Sequence, residues 1–163
     1  MLSKPTPSEI IRKVDISIGK VLENDQFLLE IGVHERTVAH KLAEYLQLQF
    51  QYWHVDCEYN RDKHDVKKII DLHNECKKSG DTVFPDIIIH ERDKKNNLLV
   101  IEMKTNTKET ECDINKLMRF TKDKKFQYSL GLFLQLERGK SPLKKWFCNG
   151  DLVTEESLKK YTT

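Results

Sequence analysis

The chain has no CxxC pair. Its four cysteines, Cys57, Cys76, Cys112 and Cys148, stand far apart, which argues against a zinc module, and their spacing gives no reason to expect a disulfide. No apolar run approaches the ~20 residues of a membrane span, and Met1-Leu2-Ser3-Lys4-Pro5 leads into no apolar stretch of signal-peptide length. Excess charge is almost absent: 28 Lys and Arg stand against 26 Asp and Glu, so the domain is not strongly basic and any basic surface is local. Internal repeats, low-complexity tracts and interdomain linkers are missing too. The expectation is one soluble, cytoplasmic domain over residues 1–163 with no membrane partner.

What is present is a clear alternation of helical and strand-like patterns. After Pro5-Thr6-Pro7-Ser8, the residues Ile10, Ile11, Val14, Ile18, Val21 and Leu22 recur at helical spacing and predict a helix in an N-terminal extension, 1–33. Val38, Ala39, Leu42, Tyr45 and Leu46 form one stripe and predict a second helix over about 34–48. The aromatic-rich stretch 50–59 reads as a half-buried strand. Val66, Ile69, Ile70, His73 and Cys76 suit either a short amphipathic helix or an insertion over 61–80.

Val83 to His90 and Leu98 to Lys104 are the most apolar, β-branched part of the chain and flank a polar turn, so they read as an antiparallel pair. A helix from about Asp113 is expected to turn Ile114, Leu117 and Met118 inward and Lys116, Arg119 and Lys122 outward. Tyr128, Leu130, Leu132, Leu134 and Leu136 alternate as a further strand. Asn149-Gly150 joins Lys144–Cys148 to Asp151–Thr154 in a C-terminal hairpin within 143–163, because both turn positions favour positive φ.

The antiparallel pair carries the chemistry. A turn centred near Lys95 gives partners whose numbers sum to about 190, placing Asp86 opposite Lys104 and Ile88 opposite Glu102, with room for a slip of about one or two residues. Alternation puts Asp86, Ile88 and His90 on one face of their strand and Val100, Glu102 and Lys104 on one face of the other. Where the faces coincide, two carboxylates and an ammonium meet at the open end. Two carboxylates on a rigid sheet suit a hard divalent cation such as Mg²⁺, and a neighbouring lysine would orient or help deprotonate an attacking water. The tripeptide Asp/Glu-x-Lys alone is weak, occurring five times, at Asp65, Glu75, Asp93, Glu102 and Asp123. Only Glu102 ends an apolar strand, and only Asp86 follows a proline and opens the strand that pairs with it.

Pro85-Asp86 followed by Glu102-Met103-Lys104, in this order of elements, resembles the PD-(D/E)XK, or restriction-endonuclease-like, nuclease superfamily over about 34–136. The stretches GVHERTVAHKLAEYLQ, VDCEYNRD, TVFPDIIIHER and NNLLVIEMK together resemble a family of small, largely uncharacterised bacterial proteins assigned to it. The resemblance implies an α/β fold, a restriction-endonuclease-like α-β-β-β-α-β core with a four-stranded mixed sheet flanked by helices. To this core the chain adds the N-terminal helical extension and the C-terminal hairpin. The resemblance also implies Asp86 and Glu102 as Mg²⁺ ligands, with Mn²⁺ as substitute, Lys104 as the water-orienting residue, and often a helix glutamate, here Glu35, as a further metal ligand. Glu35 is equally well read as a helix N-terminal acid favoured by the macrodipole.

Other candidates carry two readings each. Arg36 and His40 share a helix face and would meet a phosphate or stand as an exposed pair. Glu58 and Asn60 end a strand, as ligands, substrate contacts or ordinary polar termini. Lys116, Arg119, Lys122, Lys124 and Lys125 form a basic run that would track a nucleic-acid backbone or simply face solvent. His90 reads as structural, and Trp53 and Trp146 as core or sheet-edge aromatics. The leading expectation is a Mg²⁺-dependent endonuclease acting on DNA ahead of RNA, in phage defence, restriction or repair. A catalytically silent nucleic-acid- or protein-binding module of the same fold, and a nuclease subunit with a recognition partner, are the alternatives. A homodimer fits members that make paired cuts.

Overall fold

A computed structural model describes residues 3–59, 61–62, 65–66, 84–106 and 109–160. The elements run α1 (Pro7–Asn24), α2 (Gln26–Glu30), α3 (Glu35–Gln49), β1 (His54–Cys57), β2 (Arg61–Asp62), β3 (Asp65–Val66), β4 (Ile87–Glu91) and β5 (Asn96–Lys104). They continue as α4 (Glu111–Lys122), β6 (Leu130–Gln135), β7 (Leu143–Cys148), β8 (Asp151–Val153) and α5 (Glu155–Lys159). The fold is α/β, built on a six-stranded mixed sheet in the order β1-β4-β5-β6-β7-β8, with β2 and β3 paired separately. Among the described residues only β5 and β6 run parallel, since α4 crosses between them, and the other neighbours are antiparallel. The sheet exceeds the four strands expected because the C-terminal hairpin adds β7 and β8 to the β6 edge. Asn149 and Gly150 both take positive φ, 57° and 88°, as the two-residue turn requires.

Alternation along the strands separates two apolar layers. Ile87, Ile89, Leu99 and Ile101 pack with α1 and α3 through Ile10, Val14, Val38, Leu42 and Leu46. Ile88, Val100 and Phe133 point to the other side and pack with Leu117 and Phe120 of α4. The helix comes close to the sheet because β6 offers Gly131 beneath it: a Cβ there would stand 3.2 Å from Thr121 and 3.3 Å from Leu117. Thr110 caps α4, its hydroxyl accepting from Asp113 N at 3.2 Å while the Asp113 carboxylate accepts from Thr110 N at 3.0 Å, a reciprocal capping box.

Several expectations are corrected. The ladder pairs Ile87 with Ile101 and Ile88 with Val100, two residues away from the expected register, because the turn, 92–95, is centred between Asp93 and Lys94 and not at Lys95; the irregularity between Ile89 and His90 takes up one residue of the difference. A slip of two preserves the faces, and one step beyond the ladder Asp86 stands level with Glu102 instead of Lys104. The first aromatic strand is shorter than expected, since Phe50 caps α3 and the strand begins at His54. On α4, Met118 is exposed and Lys116 turns inward, because the buried face is set by Asp113, Leu117, Phe120 and Thr121. Cys112 is disulfide-bonded, which the cysteine spacing gave no reason to expect, while Cys57 and Cys148 are free. The helix expected to begin at Val66 does not begin there, since Val66 lies in β3, paired with Arg61 of β2; the rest of that expectation, Ile69, Ile70, His73 and Cys76, lies outside the described residues. Among the described residues no helix is long and apolar enough to cross a membrane.

Candidate functional site

The open end of the β4–β5 pair brings four carboxylates and two lysines together. Asp86 precedes β4, and its Oδ2 accepts from the backbone N–H of Met103 on β5 at 2.7 Å. Burial raises the Asp86 pKa; the Met103 hydrogen bond and the Lys116 and Lys104 charges oppose it without cancelling it. Glu102 is 1% exposed. Burial pushes its carboxyl well above the usual range, and the nearby Asp86 and Asp113 charges add to the shift while Lys116 resists it. Its Oε2 accepts from Lys116 Nζ at 3.0 Å, and its Oε1, also buried, has no hydrogen-bond partner.

Lys104, at the end of β5, donates to Glu35 Oε1 at 3.3 Å and lies 3.7 Å from Asp113 Oδ1. Burial works against its ammonium, but Asp113, Glu35 and Asp86 outweigh that and raise its pKa, so it is protonated at neutral pH. The two helices meet the strand end from opposite layers. Glu35 stands in the first turn of α3, started by the His34 cap, and Asp113 in the first turn of α4. Lys116 follows Asp113 by three residues and so reaches the same end of the sheet. Its side chain is 14% exposed; burial lowers its pKa, but Glu102 and the other carboxylates raise it overall.

Of the residues singled out in the sequence, Asp86, Glu102, Lys104 and Glu35 therefore assemble. Lys116 joins them through Glu102, in place of the outward position expected of it. Asp113, read in the sequence as a helix start alone, is the member sequence reasoning missed; its i, i+3 spacing from Lys116 was the available signal. Arg36 forms an ion pair with Glu58 across the mouth, at 2.8 Å, with both side chains substantially exposed. Glu58 takes a left-handed φ of 49°, a conformation that costs a non-glycine residue about 1 kcal/mol. Its N–H is anchored on Asp86 O at 3.1 Å. His40 turns instead to Glu44, 3.2 Å away along α3, and is exposed. Arg119 lies nearly one turn past Lys116 and is half-buried.

A second polar cluster stands at the other end of β4. His90, 5% exposed, places Nε2 2.8 Å from Asp56 Oδ2, and Arg92 Nε donates to the same oxygen at 3.0 Å. Tyr59 stacks beside the imidazole with ring centroids 4.9 Å apart. The buried ring and its fixed partners give His90 the structural role expected from the sequence. Trp53 and Trp146 are buried in the core.

Among the described residues no group of three or more His, Cys, Asp or Glu side chains stands arranged to hold a metal ion. No family model matches the chain, and no curated protein matches it.

Proposed function

We propose that this protein is a metal-dependent nuclease of the PD-(D/E)XK superfamily. It would hydrolyse phosphodiester bonds, in DNA ahead of RNA, with Asp86 and Glu102 as ligands of Mg²⁺, or of Mn²⁺ in its place. The observation that carries this reading is the buried pair itself: Asp86 is tied to the backbone beside Glu102, and Glu102 keeps one oxygen without a partner. A buried carboxylate with an unmatched oxygen is costly unless something else completes it. The order of elements supports the reading. α3, β1, β4, β5, α4 and β6 follow the helix-strand-strand-strand-helix-strand sequence of that superfamily, and β1, β4, β5 and β6 are neighbours in the sheet.

The residues present fit a hard dication. Both candidate donors are carboxylates, and a site with few protein ligands leaves positions for water and a phosphate oxygen, the habit of Mg²⁺. Bound there, the ion would offset phosphate charge and acidify a water. Lys104, held by Glu35 and Asp113, donates its N–H groups to that water or to a phosphate oxygen. Its raised pKa makes it a donor and a positive charge, not a base. Glu35, engaged by Lys104, serves here to aim the lysine. Arg36 at the mouth is placed to exchange Glu58 for a phosphate of the backbone.

A second reading has its own observation. Lys116 already occupies Glu102, and among the described residues no group of three or more His, Cys, Asp or Glu stands arranged to hold a metal, which favours a catalytically silent binding module of the same fold. Supercoiled plasmid incubated with Mg²⁺, with EDTA, and with Mg²⁺ and Glu102→Ala separates the two. The nuclease reading expects cleavage in the first reaction alone; equal cleavage in all three sinks it, and no cleavage of DNA or RNA in any favours the module.

A further inference from the structure

Two lysines enter the site, and they are held differently. Lys104 is shared between Glu35 and Asp113, at 3.3 and 3.7 Å. Lys116 is bound to Glu102 itself, at 3.0 Å, inside the sheet–helix layer. Its ammonium thus occupies one oxygen of a carboxylate proposed to hold a dication, and it lies within electrostatic reach of Asp86 as well. An ammonium and a dication on the same carboxylate repel one another strongly in a partly dry site.

The backbone beneath Lys116 gives little room for another solution. α4 lies tight over Gly131, with Leu117 and Phe120 buried against the sheet, so withdrawing the whole helix would open the apolar layer beneath it. The lysine stem, with its four carbons, is the part free to move. We propose that Lys116 is a built-in counter-cation of the carboxylate pair: it satisfies Glu102 when no metal is bound, competes with the metal for that carboxylate, and swings off it when the metal binds.

The proposal rests on the metal reading of Asp86 and Glu102, and it adds a regulatory consequence. Metal affinity is set partly by how readily Lys116 leaves. A displaced ammonium beside a bound cation is itself unfavourable until an anion takes it up. A backbone phosphate, entering the mouth, is the anion this reaction brings. Metal and nucleic acid then support each other's binding through one side chain, a reciprocal coupling.

The test is Mn²⁺ binding by titration calorimetry, without nucleic acid, to the wild type, Lys116→Met and Glu102→Gln. Methionine keeps an unbranched stem of similar length and removes the charge. Lys116→Met is expected to bind Mn²⁺ roughly tenfold more tightly than the wild type, a coupling of ordinary size, and Glu102→Gln more weakly. Equal or weaker binding by Lys116→Met, with measurable binding by the wild type, overturns the role of the lysine alone. Absence of binding by both overturns it together with the metal reading. Amine-directed labelling of the wild type, read by mass spectrometry, covers the case in which the variant does not fold. Labelling of Lys116 is expected to rise severalfold when Mn²⁺ is added, and unchanged labelling at saturating Mn²⁺ contradicts displacement.

Discussion

The backbone N–H of Met103 donates to Asp86 Oδ2 at 2.7 Å, tying the acid that opens β4 to the strand that carries Glu102. This bond distinguishes Asp86 from a charged residue that merely ends a strand. It fixes one carboxylate oxygen against a rigid backbone. Replacing Asp86 by asparagine keeps an oxygen that can accept from Met103, so the fold is expected to persist. Metal-dependent cleavage is expected to fall on the order of 100-fold or more, since the charge is lost where the reaction needs it. Asp86→Leu removes the acceptor too and leaves a buried N–H unmatched, which costs about 1–3 kcal/mol. Thermal denaturation alongside cleavage rates checks both expectations.

Lys104 depends on its carboxylates for direction. Lys104→Met is expected to slow cleavage by about 100-fold, and Glu35→Gln by about tenfold, because the second only loosens the aim of the first. The Glu35–Lys104 pair is mostly shielded from water, and glutamine keeps an oxygen that can accept from the lysine, so Glu35→Gln should cost about 1–2 kcal/mol of unfolding free energy, the size of one charge-assisted hydrogen bond. Adding Glu35→Gln to Lys104→Met is expected to cost no further activity, since residues that act through one another are not additive. Single-turnover rates of the two single variants and the double variant measure this. A double variant slowed by the product of the two factors would mean that Glu35 acts without Lys104.

The sequence made the β4–β5 pair legible for a plain physical reason: β-branched residues alternate on both sides of a polar turn, and Asp86 and Glu102 lie at its open ends. Register was harder. Nothing in the polar run shows where four residues make the turn and where the ladder is irregular beside His90, and the two-residue error survived only because an even slip keeps each side chain on its face. Lys116 was misread because a lysine on an amphipathic helix usually faces water. Its spacing from Asp113 and Phe120 placed it on the inner flank of α4, but only the partner, Glu102 on the preceding strand, explains why a charge is tolerated there. Asp113 looked like a cap and is one; its second contact, with Lys104, needed the third dimension.

Acid should act on the other polar cluster with a definite sign. Burial of Asp56 works to raise its pKa, but the His90 and Arg92 hydrogen bonds and charges overcome this and hold it below the usual carboxylate range. A depressed pKa contributes stability above the unfolded-state value, near 4, and the contribution is lost as pH falls through the lower folded-state value. Asp56→Ala is therefore expected to destabilise the protein by about 2 kcal/mol at pH 7, as loss of charge-assisted hydrogen bonds does. The difference from the wild type should hold down to about pH 4 and shrink below it. Urea unfolding from pH 7 to pH 3 reads the difference directly. A gap that closes already between pH 7 and pH 5 would point to a different titrating group.

The proposed function stands or falls with a divalent-metal site at Asp86 and Glu102. Crystals soaked in Mn²⁺ and measured for anomalous scattering test it most directly. A peak is expected between the two carboxylates, about 2.1 Å from an oxygen of each, with Lys116 Nζ drawn away from Glu102. A Lys116–Glu102 contact still at 3.0 Å, with no anomalous peak at saturating Mn²⁺, would contradict it.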